Sequence, residues 1–228
     1  GQHCKGDHGQ SPAKYEKFVY SNQFGFSVSK GTSLEEGAFD NTLAFSHKGE
    51  NRFCMRYGLT DFYGDEERLV SKYSPIKGVK VISTVVPCSP WHVRVHQITN
   101  KEAIKIAEGG FSLPQEEGFR VKAGRMTGRF EEKEIHRIEK GIYASFPWGC
   151  SGIVSETGQE TELEIPFANT NLFYNLTVIP MVKAELEPGI HVIVTSVAAD
   201  FHKSWEELLE EKPEVRIDKG EVKVIYKG

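Results

Sequence analysis

Apolar and polar side chains alternate one by one along much of this chain. The clearest case is PWHVRVHQI, residues 90–98, whose polar row consists of His92, Arg94 and His96. Successive side chains of a β-strand point to opposite faces of the sheet. The stretch therefore predicts a strand with one apolar packing face and one face that carries two imidazoles around a guanidinium.

Short segments of the same character follow one another along most of the chain. They are rich in Val, Ile, Phe and Tyr and are separated by Gly, Asn or Pro turns, as in VKVISTVV (79–86) and IHVIVTSVAA (190–199). Regularly spaced short strands without helices between them are typical of a sandwich or a barrel, not of βαβ units. The pattern predicts an all-β protein, closed by a hairpin with the turn Asp218-Lys219-Gly220.

One segment, SWEELLEEK (204–212), has the signals of a helix. Ser204 is a favourable N-cap, acidic residues fill the first turn, and Pro213 follows the last residue. We therefore expect one short helix near the C-terminus. Residues 1–12 are polar and rich in Gly, so we expect a connector there that leads in from an upstream domain, followed by a single domain over residues 13–228.

The bulk composition fits a soluble globular protein. Of the 228 residues, 39% are hydrophobic and 26% are charged, which argues against disorder. The net charge of −4 and the pI of about 6.1 give no electrostatic case for a nucleic acid or an anionic membrane as a partner. No apolar run approaches the roughly 18–20 residues that a membrane-spanning helix needs.

The cysteines are widely spaced and form no CxxC pair; they are Cys4, Cys54, Cys88 and Cys150. A chain of this length does not need disulfides for its stability, so we expect free thiols and no zinc site. The lack of a disulfide pattern favours a cytoplasmic location. Since phosphate-binding, dinucleotide, GxSxG and HExxH motifs are all absent from the sequence, we expect no cofactor and no metal.

Three interpretations of the polar row His92, Arg94 and His96 are open. Same-face neighbours on a strand stand about 6–7 Å apart, so three such groups can line a groove. A guanidinium between imidazoles suits a carboxylate or a sulfate, which makes an acidic ligand the sharper hypothesis. The plainer interpretation is a polar face that pairs with acids of a neighbouring strand. A metal site is the weakest, because the central cation repels a divalent ion.

A second group of candidates lies in DHGQSPAKYEKF, residues 7–18. It combines Asp7, His8, Lys14, Tyr15 and Lys17. Side chains of these types serve in general acid–base chemistry or hold a uronate, and Tyr15 and Lys17 share one face of the predicted first strand. The competing interpretation is a solvated terminal strand with extended lysines.

Three tryptophans could offer a flat surface for a sugar ring, namely Trp91, Trp148 and Trp205. An exposed aromatic ring can stack on the C–H-rich face of a sugar. Alternation places Trp91 on the apolar face of its strand, which weakens that interpretation for this residue. An aromatic such as Trp148, beside Pro and Gly, more often closes the end of a sandwich.

Three longer stretches together resemble one bacterial family. They are AKYEKFVYSNQFGFSV, PWHVRVHQI with the following AEGGFSLP, and NTNLFYNLTVIPMVKAELEPGIHVIVTSVAA. The chain resembles the C-terminal part of a family known only as a domain of unknown function. Its members pair an N-terminal (α/α) helical toroid with a β-sandwich, similar in plan to heparinase-type polysaccharide lyases. The resemblance covers about residues 8–200.

The resemblance implies a large antiparallel β-sandwich of the supersandwich-like kind, with the short C-terminal helix predicted above. It also implies a helical toroid upstream in the same parent chain as a partner, with the active-site cleft between the two domains. Some relatives are linked to glucuronidase activity, so an acidic oligosaccharide is the expected ligand. The candidates for contacts from the sandwich are His8, Lys14, Tyr15 and Lys17, followed by His92, Arg94 and His96.

The leading hypothesis is the C-terminal β-sandwich of a bacterial carbohydrate-active enzyme that acts on acidic, uronate-containing glycans. The parent is expected to be a glycoside hydrolase or a polysaccharide lyase, and the isolated chain to have little or no turnover. No catalytic residue is assigned. One alternative is a stand-alone carbohydrate-binding module, which needs an exposed aromatic platform. The other is a purely structural domain that packs on the toroid.

Overall fold

The computed structural model describes residues 43–48, 50–52, 59–109, 113–114, 134–146, 149–157, 162–164, 167–169, 176–178 and 181–226. Within these residues the chain forms eighteen strands and one short helix. The predicted connector, residues 1–12, lies outside the described part of the chain, as do the segments that contain His8, Lys14, Tyr15 and Lys17.

The first nine strands lie before residue 139. They are β1 (Leu43–His47), β2 (Glu50–Arg52), β3 (Leu59–Gly64), β4 (Leu69–Tyr73), β5 (Val79–Cys88), β6 (Trp91–Asn100), β7 (Ile104–Gly109), β8 (Leu113–Pro114) and β9 (Glu134–Ile138). The remaining elements are β10 (Gly141–Phe146), β11 (Gly149–Thr157), β12 (Glu162–Glu164), β13 (Phe167–Asn169), β14 (Leu176–Val178), β15 (Met181–Leu186), β16 (Gly189–Asp200), α1 (Trp205–Glu210), β17 (Glu214–Asp218) and β18 (Glu221–Ile225).

Two large sheets form the body of the fold. One has five strands in the order β12-β15-β7-β1-β2, and the other has eight in the order β3-β4-β5-β6-β16-β11-β10-β9. A three-stranded sheet, β13-β14-β8, and the hairpin β17-β18 complete the described part. The pairings that build the two large sheets are antiparallel, and the prediction of an all-β antiparallel sandwich with one short C-terminal helix is confirmed.

The main core lies between the two large sheets. Its apolar side chains come from β1, β7 and β15 on one side and from β4, β5, β6 and β16 on the other. The cluster consists of Leu43, Phe45, Tyr73, Ile76, Val79, Val81, Ile98, Ile104, Ile106, Ala184, Leu186 and Ile193. Burial of these side chains between the sheets supplies the hydrophobic driving force for a sandwich.

A second cluster covers the opposite face of the eight-stranded sheet. There α1 and the β17-β18 hairpin pack on strands β6, β11 and β16. Trp91 is 2% exposed, and its indole Nε1 donates to the Leu208 carbonyl of α1 over 3.0 Å. Trp205 lies between Trp91 and Tyr143, with ring centroids 5.5 and 5.2 Å away. The eight-stranded sheet is therefore covered on both faces along its centre.

The predicted helix and the closing hairpin form as expected. The Ser204 hydroxyl accepts from the Glu207 backbone N–H over 3.2 Å, and the Glu207 carboxylate accepts from the Ser204 N–H over 2.7 Å. This capping box satisfies two donors that a helix start leaves unpaired. The hairpin turn places Lys219 and Gly220 at φ of 49° and 84°, the left-handed conformations that a two-residue hairpin loop requires.

One strand departs from the sequence pattern. The segment DFYGDEER (61–68) looks like an acidic surface stretch, but residues 59–64 form the edge strand β3. Asp65 then accepts from the backbone N–H groups of Glu67 and Arg68 at 2.9 Å each, which closes the turn into β4. Because an edge strand has one unpaired side, it tolerates polar and exposed side chains that obscure the alternation.

We expect the substitution Gly152→Ala in β11 to destabilise the fold. A Cβ at this position would lie 2.5 Å from Cζ3 of Trp205 and 2.5 Å from Cβ of Tyr143, so the outer aromatic cluster would have to shift. Overpacking of this kind costs about 1–3 kcal/mol. Urea unfolding followed by circular dichroism measures the loss. The double variant Gly152→Ala with Trp205→Leu should lose less free energy of unfolding than the sum of the losses in the two single variants, because the smaller side chain removes part of the clash. Strictly additive losses would contradict the clash.

Candidate functional site

The polar row of β6 lies inside the sandwich. Arg94 and His96 are each 1% exposed, whereas His92 is only partly buried. The opposite parity, which includes Trp91 and Val93, is buried beneath α1 and the hairpin. The two faces predicted for this strand are real, but the expectation that only one of them packs is wrong. The polar face is directed at the second sheet rather than at solvent, because the five-stranded sheet covers it.

The acid that partners this row belongs to the chain itself. Glu108 stands on β7 of the five-stranded sheet and is 0% exposed. Its Oε1 atom lies 3.0 Å from Nε of Arg94 and 2.9 Å from Nε2 of His96. The Arg94 contact is an ion pair by distance rather than a well-aligned hydrogen bond. Arginine and glutamate are almost never fully buried unless they are paired.

Further side chains extend this contact into a network that we call the intersheet network; it consists of Tyr73, Ser83, Arg94, His96, Glu108 and Thr195. The Thr195 hydroxyl on β16 donates a short hydrogen bond to Oε2 of Glu108. The Ser83 hydroxyl lies 2.7 Å from Nδ1 of His96, and the Tyr73 hydroxyl lies 3.2 Å from Ser83. Four strands of one sheet thus converge on a single carboxylate of the other.

Strand register explains why these side chains meet. Arg94 of β6 is paired with Val85 of β5 and with Thr195 of β16. His96, two residues further along, is paired with Ser83. Because residues directly opposite on neighbouring antiparallel strands point to the same face, these pairs form one polar patch on the inner face. A shift of one residue would move the patch to the other face.

The network fixes the orientation of His96. An ionised carboxylate only accepts, so the Nε2–H of His96 donates to Glu108. The other ring nitrogen, Nδ1, faces the Ser83 hydroxyl, which can donate or accept as required. Both ring nitrogens of this buried imidazole therefore have partners within the sandwich.

Electrostatics keep the Glu108 carboxyl ionised. Burial alone raises the pKa of this group above its ordinary value of 4.5. Attraction to Arg94 and His96, with hydrogen bonds from His96 and Thr195, outweighs burial and lowers the pKa to about 2. The carboxylate therefore keeps its charge throughout the physiological range, as an interior anion that compensates the Arg94 guanidinium must.

Burial favours the neutral form of two neighbouring groups, His92 and Tyr73, whereas Glu108 stays ionised. Burial, reinforced by the charge of Arg94, lowers the pKa of His92 to about 4, so this imidazole is neutral near pH 7. Burial also raises the pKa of the Tyr73 hydroxyl above its ordinary range. Tyr73 and His92 consequently carry no charge that could disturb the balance between Arg94 and Glu108.

The arrangement is suited to holding two sheets together rather than to turnover. Arg94, His96 and Glu108 are enclosed, so a dissolved ligand does not reach them in this conformation. The carboxylate that the polar row was expected to bind is supplied by Glu108. This matches the plainer of the two leading interpretations, with the acid on the facing sheet instead of a neighbouring strand. Substrate contact by the row stays a prediction about the parent.

The other predicted groups fall in different places. Trp91 and Trp205 are each 2% exposed, so neither offers a platform for a sugar ring. Trp148, His8, Lys14, Tyr15 and Lys17 lie outside the described residues. The binding-module interpretation therefore loses two of its three aromatic candidates.

The two cysteines that the structure describes are not paired in a disulfide. Cys88 and Cys150 are free, as predicted, and both are buried, while Cys4 and Cys54 lie outside the described residues. Burial raises the pKa of both thiols to about 11, which makes them poor nucleophiles.

Among the residues described, no three His, Cys, Asp or Glu side chains are grouped to hold a metal ion. The helix found in this region is not long and apolar enough to cross a membrane.

Glu108 and Thr195 were not among the site residues predicted from the sequence. A usable signal was present, since Glu108 shares the parity of Ile104 and Ile106 in EAIKIAEGG and so falls on the apolar face of its strand. Thr195 likewise shares the parity of its apolar neighbours in β16. An acid at an inward position requires a cation opposite it, and the inward Arg of β6 is that cation.

Comparison with protein families gives the class of this domain. A family model described as the DUF2264 C-terminal domain matches residues 1–217. The chain belongs to this family. No curated protein matches the chain.

Solved structures share the fold at low sequence identity. Heparan sulfate lyase HepC from Pedobacter heparinus superposes with a TM-score of 0.55 and 10% identity, over 83% of this chain and 30% of that one. Heparinase III gives a TM-score of 0.53 and 13% identity, over 90% of this chain and 31% of that one. The chain thus spans about a third of the length of these two proteins and has the fold of their matching part.

We expect Glu108→Gln to destabilise the protein strongly at neutral pH. The change preserves shape but leaves the buried Arg94 without its anion, and breaking one partner of a buried ion pair costs about 3–5 kcal/mol. Chemical denaturation at pH 7 measures the loss. The double change Arg94→Met with Glu108→Leu should cost less than either single change, because no unpaired charge remains. Equal or larger cost in the double variant would contradict the pairing.

The stability difference between wild type and Glu108→Gln should depend on pH. The pKa of Glu108 is lower in the folded than in the unfolded state, so the unfolded state binds more protons. The stabilisation from Glu108 is fully present above pH 4.5 and is lost as the pH falls through about 2. In denaturation curves recorded from pH 7 to pH 3, the difference in free energy of unfolding between wild type and Glu108→Gln should become smaller as the pH falls. A constant difference over that range would contradict the lowered pKa.

Proposed function

We propose that this chain is the C-terminal β-sandwich of a bacterial carbohydrate-active enzyme that acts on acidic, uronate-containing glycans. The parent is a glycoside hydrolase or a polysaccharide lyase. The sandwich contributes one wall of a cleft whose other wall is a helical toroid upstream in the same parent chain. The isolated chain has little or no turnover of its own.

The observation that carries the proposal is the superposition on the two lyases. Most of this chain, 83% and 90%, matches less than a third of each lyase. The names of those proteins describe cleavage of heparan sulfate and heparin, which are acidic glycans. A domain with the same fold and a longer parent fits the same use, and membership of the DUF2264 C-terminal domain family is consistent with it.

The interior of the sandwich supports an accessory role for this domain in catalysis. The strongly shifted acidic group of the described residues, Glu108, is enclosed and paired with Arg94. A general acid or base has to reach the proton it transfers, within about 2.6–3.2 Å. The groups that touch the substrate therefore belong to the outer surface of the sandwich, to its N-terminal segment or to the toroid.

The N-terminal segment supplies the candidates for contact with substrate. These candidates are His8, Lys14, Tyr15 and Lys17, which precede the first described strand of the sandwich. A Lys ammonium can hold the carboxylate of a uronate, and a Tyr hydroxyl can transfer a proton to or from the sugar.

The strand candidates take different places in the proposal. His92, the partly buried end of the row, is the member that a ligand approaches most readily. Arg94 and His96 act behind it, by keeping the two sheets in register. Their contribution to substrate binding is the least direct of the candidates.

A second candidate function is a purely structural domain that packs on the toroid. Burial of the polar row by the chain's own second sheet favours it, because that row needs no ligand to satisfy its charge. This alternative differs from the first in one respect. It predicts that no side chain of the sandwich or of its N-terminal segment contacts sugar.

The test compares the isolated chain with the full-length parent on uronate-containing oligosaccharides. We expect cleavage by the parent and none above background by the chain. New reducing ends with a saturated product indicate hydrolysis, and an unsaturated uronate that absorbs ultraviolet light indicates elimination. Cleavage by the isolated chain at the parent's rate, or an inactive parent over a panel of acidic glycans, would overturn the proposal.

A variant of the parent separates the two candidate functions. Tyr15→Phe should lower kcat at least about tenfold if Tyr15 transfers a proton to or from the sugar. The control is Tyr63→Phe, the same change at an exposed tyrosine of edge strand β3, which should leave kcat unchanged. Unchanged kinetics in Tyr15→Phe, His8→Gln and Lys17→Gln would favour the purely structural domain.

A further inference from the structure

A pocket opens at one end of the sandwich, away from Glu108. Three turns surround it: the turn after β1, the turn between β4 and β5, and the turn between β6 and β7. Its volume is about 410 Å³, within the range of about 300–1,000 Å³ for small-molecule sites. It is lined by His47, Lys48, Ile76, Lys77, Gly78, Val79, Lys101, Glu102 and Ile104.

The floor of the pocket is apolar and rigid. Ile76, Val79 and Ile104 belong to the core between the sheets and are 6%, 3% and 2% exposed. The Val79 N–H donates to the Ile76 carbonyl over 3.0 Å, and the Lys101 N–H donates to the Gly78 carbonyl over 3.2 Å. These bonds tie two of the three turns together, so the pocket is formed before any ligand arrives.

A second tie fixes the turn that carries Lys101 and Glu102. The Asn100 side-chain amide donates to the Glu102 carbonyl over 2.8 Å and to the Glu187 carbonyl over 2.9 Å. It therefore joins the turn after β6 to the turn between β15 and β16. Gly78, at φ of 87°, gives the turn between β4 and β5 the left-handed conformation it needs.

The rim carries more positive than negative charge. The Glu102 carboxylate is held by His47 at 2.8 Å and by an ion pair with Lys48. That leaves Lys77 and Lys101, both exposed, and the described residues provide neither ammonium with an acidic partner. Two cations on one rim, with no counter-charge among the residues that the structure describes, attract an anion. The apolar floor favours a ligand with a flat C–H-rich face.

We propose that this pocket binds an anionic sugar unit, with the C–H face of the ring on the apolar floor. Its carboxylate or sulfate group lies between Lys77 and Lys101, and the Glu102 carboxylate accepts from a ring hydroxyl. The choice of a sugar over another anionic small molecule rests on the proposed function, whereas the shape and charge of the pocket do not.

The test is a titration of the full 228-residue chain, followed by NMR, with glucuronate, a sulfated glucose, neutral glucose and inorganic sulfate. We expect shifts of the backbone amides of Gly78, Lys101 and Glu102 with one or both anionic sugars, and weaker binding as salt is raised. Comparing the two anionic sugars tells whether carboxylate or sulfate is preferred. Glucose should bind at least about fivefold more weakly, as the loss of two exposed ion pairs predicts.

Charge-matched variants assign the effect to the two lysines. Lys77→Gln with Lys101→Gln should weaken binding of the anionic sugar at least about fivefold. Lys219→Gln with Lys223→Gln removes the same charge from the β17-β18 hairpin and should leave binding unchanged. Circular dichroism melting curves of both variants confirm that each one folds.

Four outcomes would overturn the inference: no amide shifts at the pocket with either sugar, equal binding of glucose, equal binding of inorganic sulfate, or equal loss in the two double variants. Each is independent of the parent's activity. If the parent cleaves acidic glycans while the chain binds none, the pocket is wrong and the proposed function stands. If the chain binds as described while the parent is inactive, the pocket stands and the proposed function fails.

Discussion

A single carboxylate from one sheet, set against a guanidinium from the other, constrains the packing of this sandwich. Moving Glu108 and Arg94 out of water costs several kcal/mol for each ion, and their attraction compensates for this only at close range. Their atoms approach to 3.0 Å, and Thr195 and His96 complete the coordination of the carboxylate. The two sheets can therefore slide or rotate relative to each other only by separating buried charges.

This constraint makes the alternation of β6 significant on both faces. The apolar parity packs beneath α1 and the closing hairpin, while the polar parity meets the five-stranded sheet. Apolar packing alone is tolerant of small shifts, since one aliphatic side chain substitutes for another. A buried ion pair accepts only one register, and such pairs serve specificity in some proteins. We interpret the intersheet network as the element that selects one alignment of the two sheets.

The class of fold could be predicted from the sequence, and so could the elements that depend on local signals. Alternation predicted the strands, Ser204 predicted the helix start, and Lys219-Gly220 predicted the last turn, because each depends on neighbours along the chain. The intersheet network was not predicted as a unit. Its members come from five strands, and only the pairing of sheets shows that Glu108 faces Arg94. Edge strand β3 was missed because most of its side chains are exposed. Without a buried face, no alternation of apolar and polar residues marks the strand in the sequence.

The facing sheet changes the interpretation of the histidines and the arginine in PWHVRVHQI. They suggested a site for an acidic ligand. Arg94 and His96 do hold a carboxylate, that of Glu108 in the same chain. Among the described residues, the buried charges of Arg94 and Glu108 compensate each other, so this part of the interior acts as a scaffold. Charge available for a ligand is found instead at the rim formed by Lys77 and Lys101.

Hydrogen exchange of the side-chain N–H groups of Arg94 and His96, followed by NMR with and without an acidic oligosaccharide, distinguishes a scaffold from a binding face. An enclosed network predicts slow exchange of the Arg94 Nε–H and the His96 Nε2–H, with resonances that the saccharide does not move. Rapid exchange of these protons with solvent, or a shift of their resonances on addition of the saccharide, would show that ligands reach the row and would contradict its role as a scaffold.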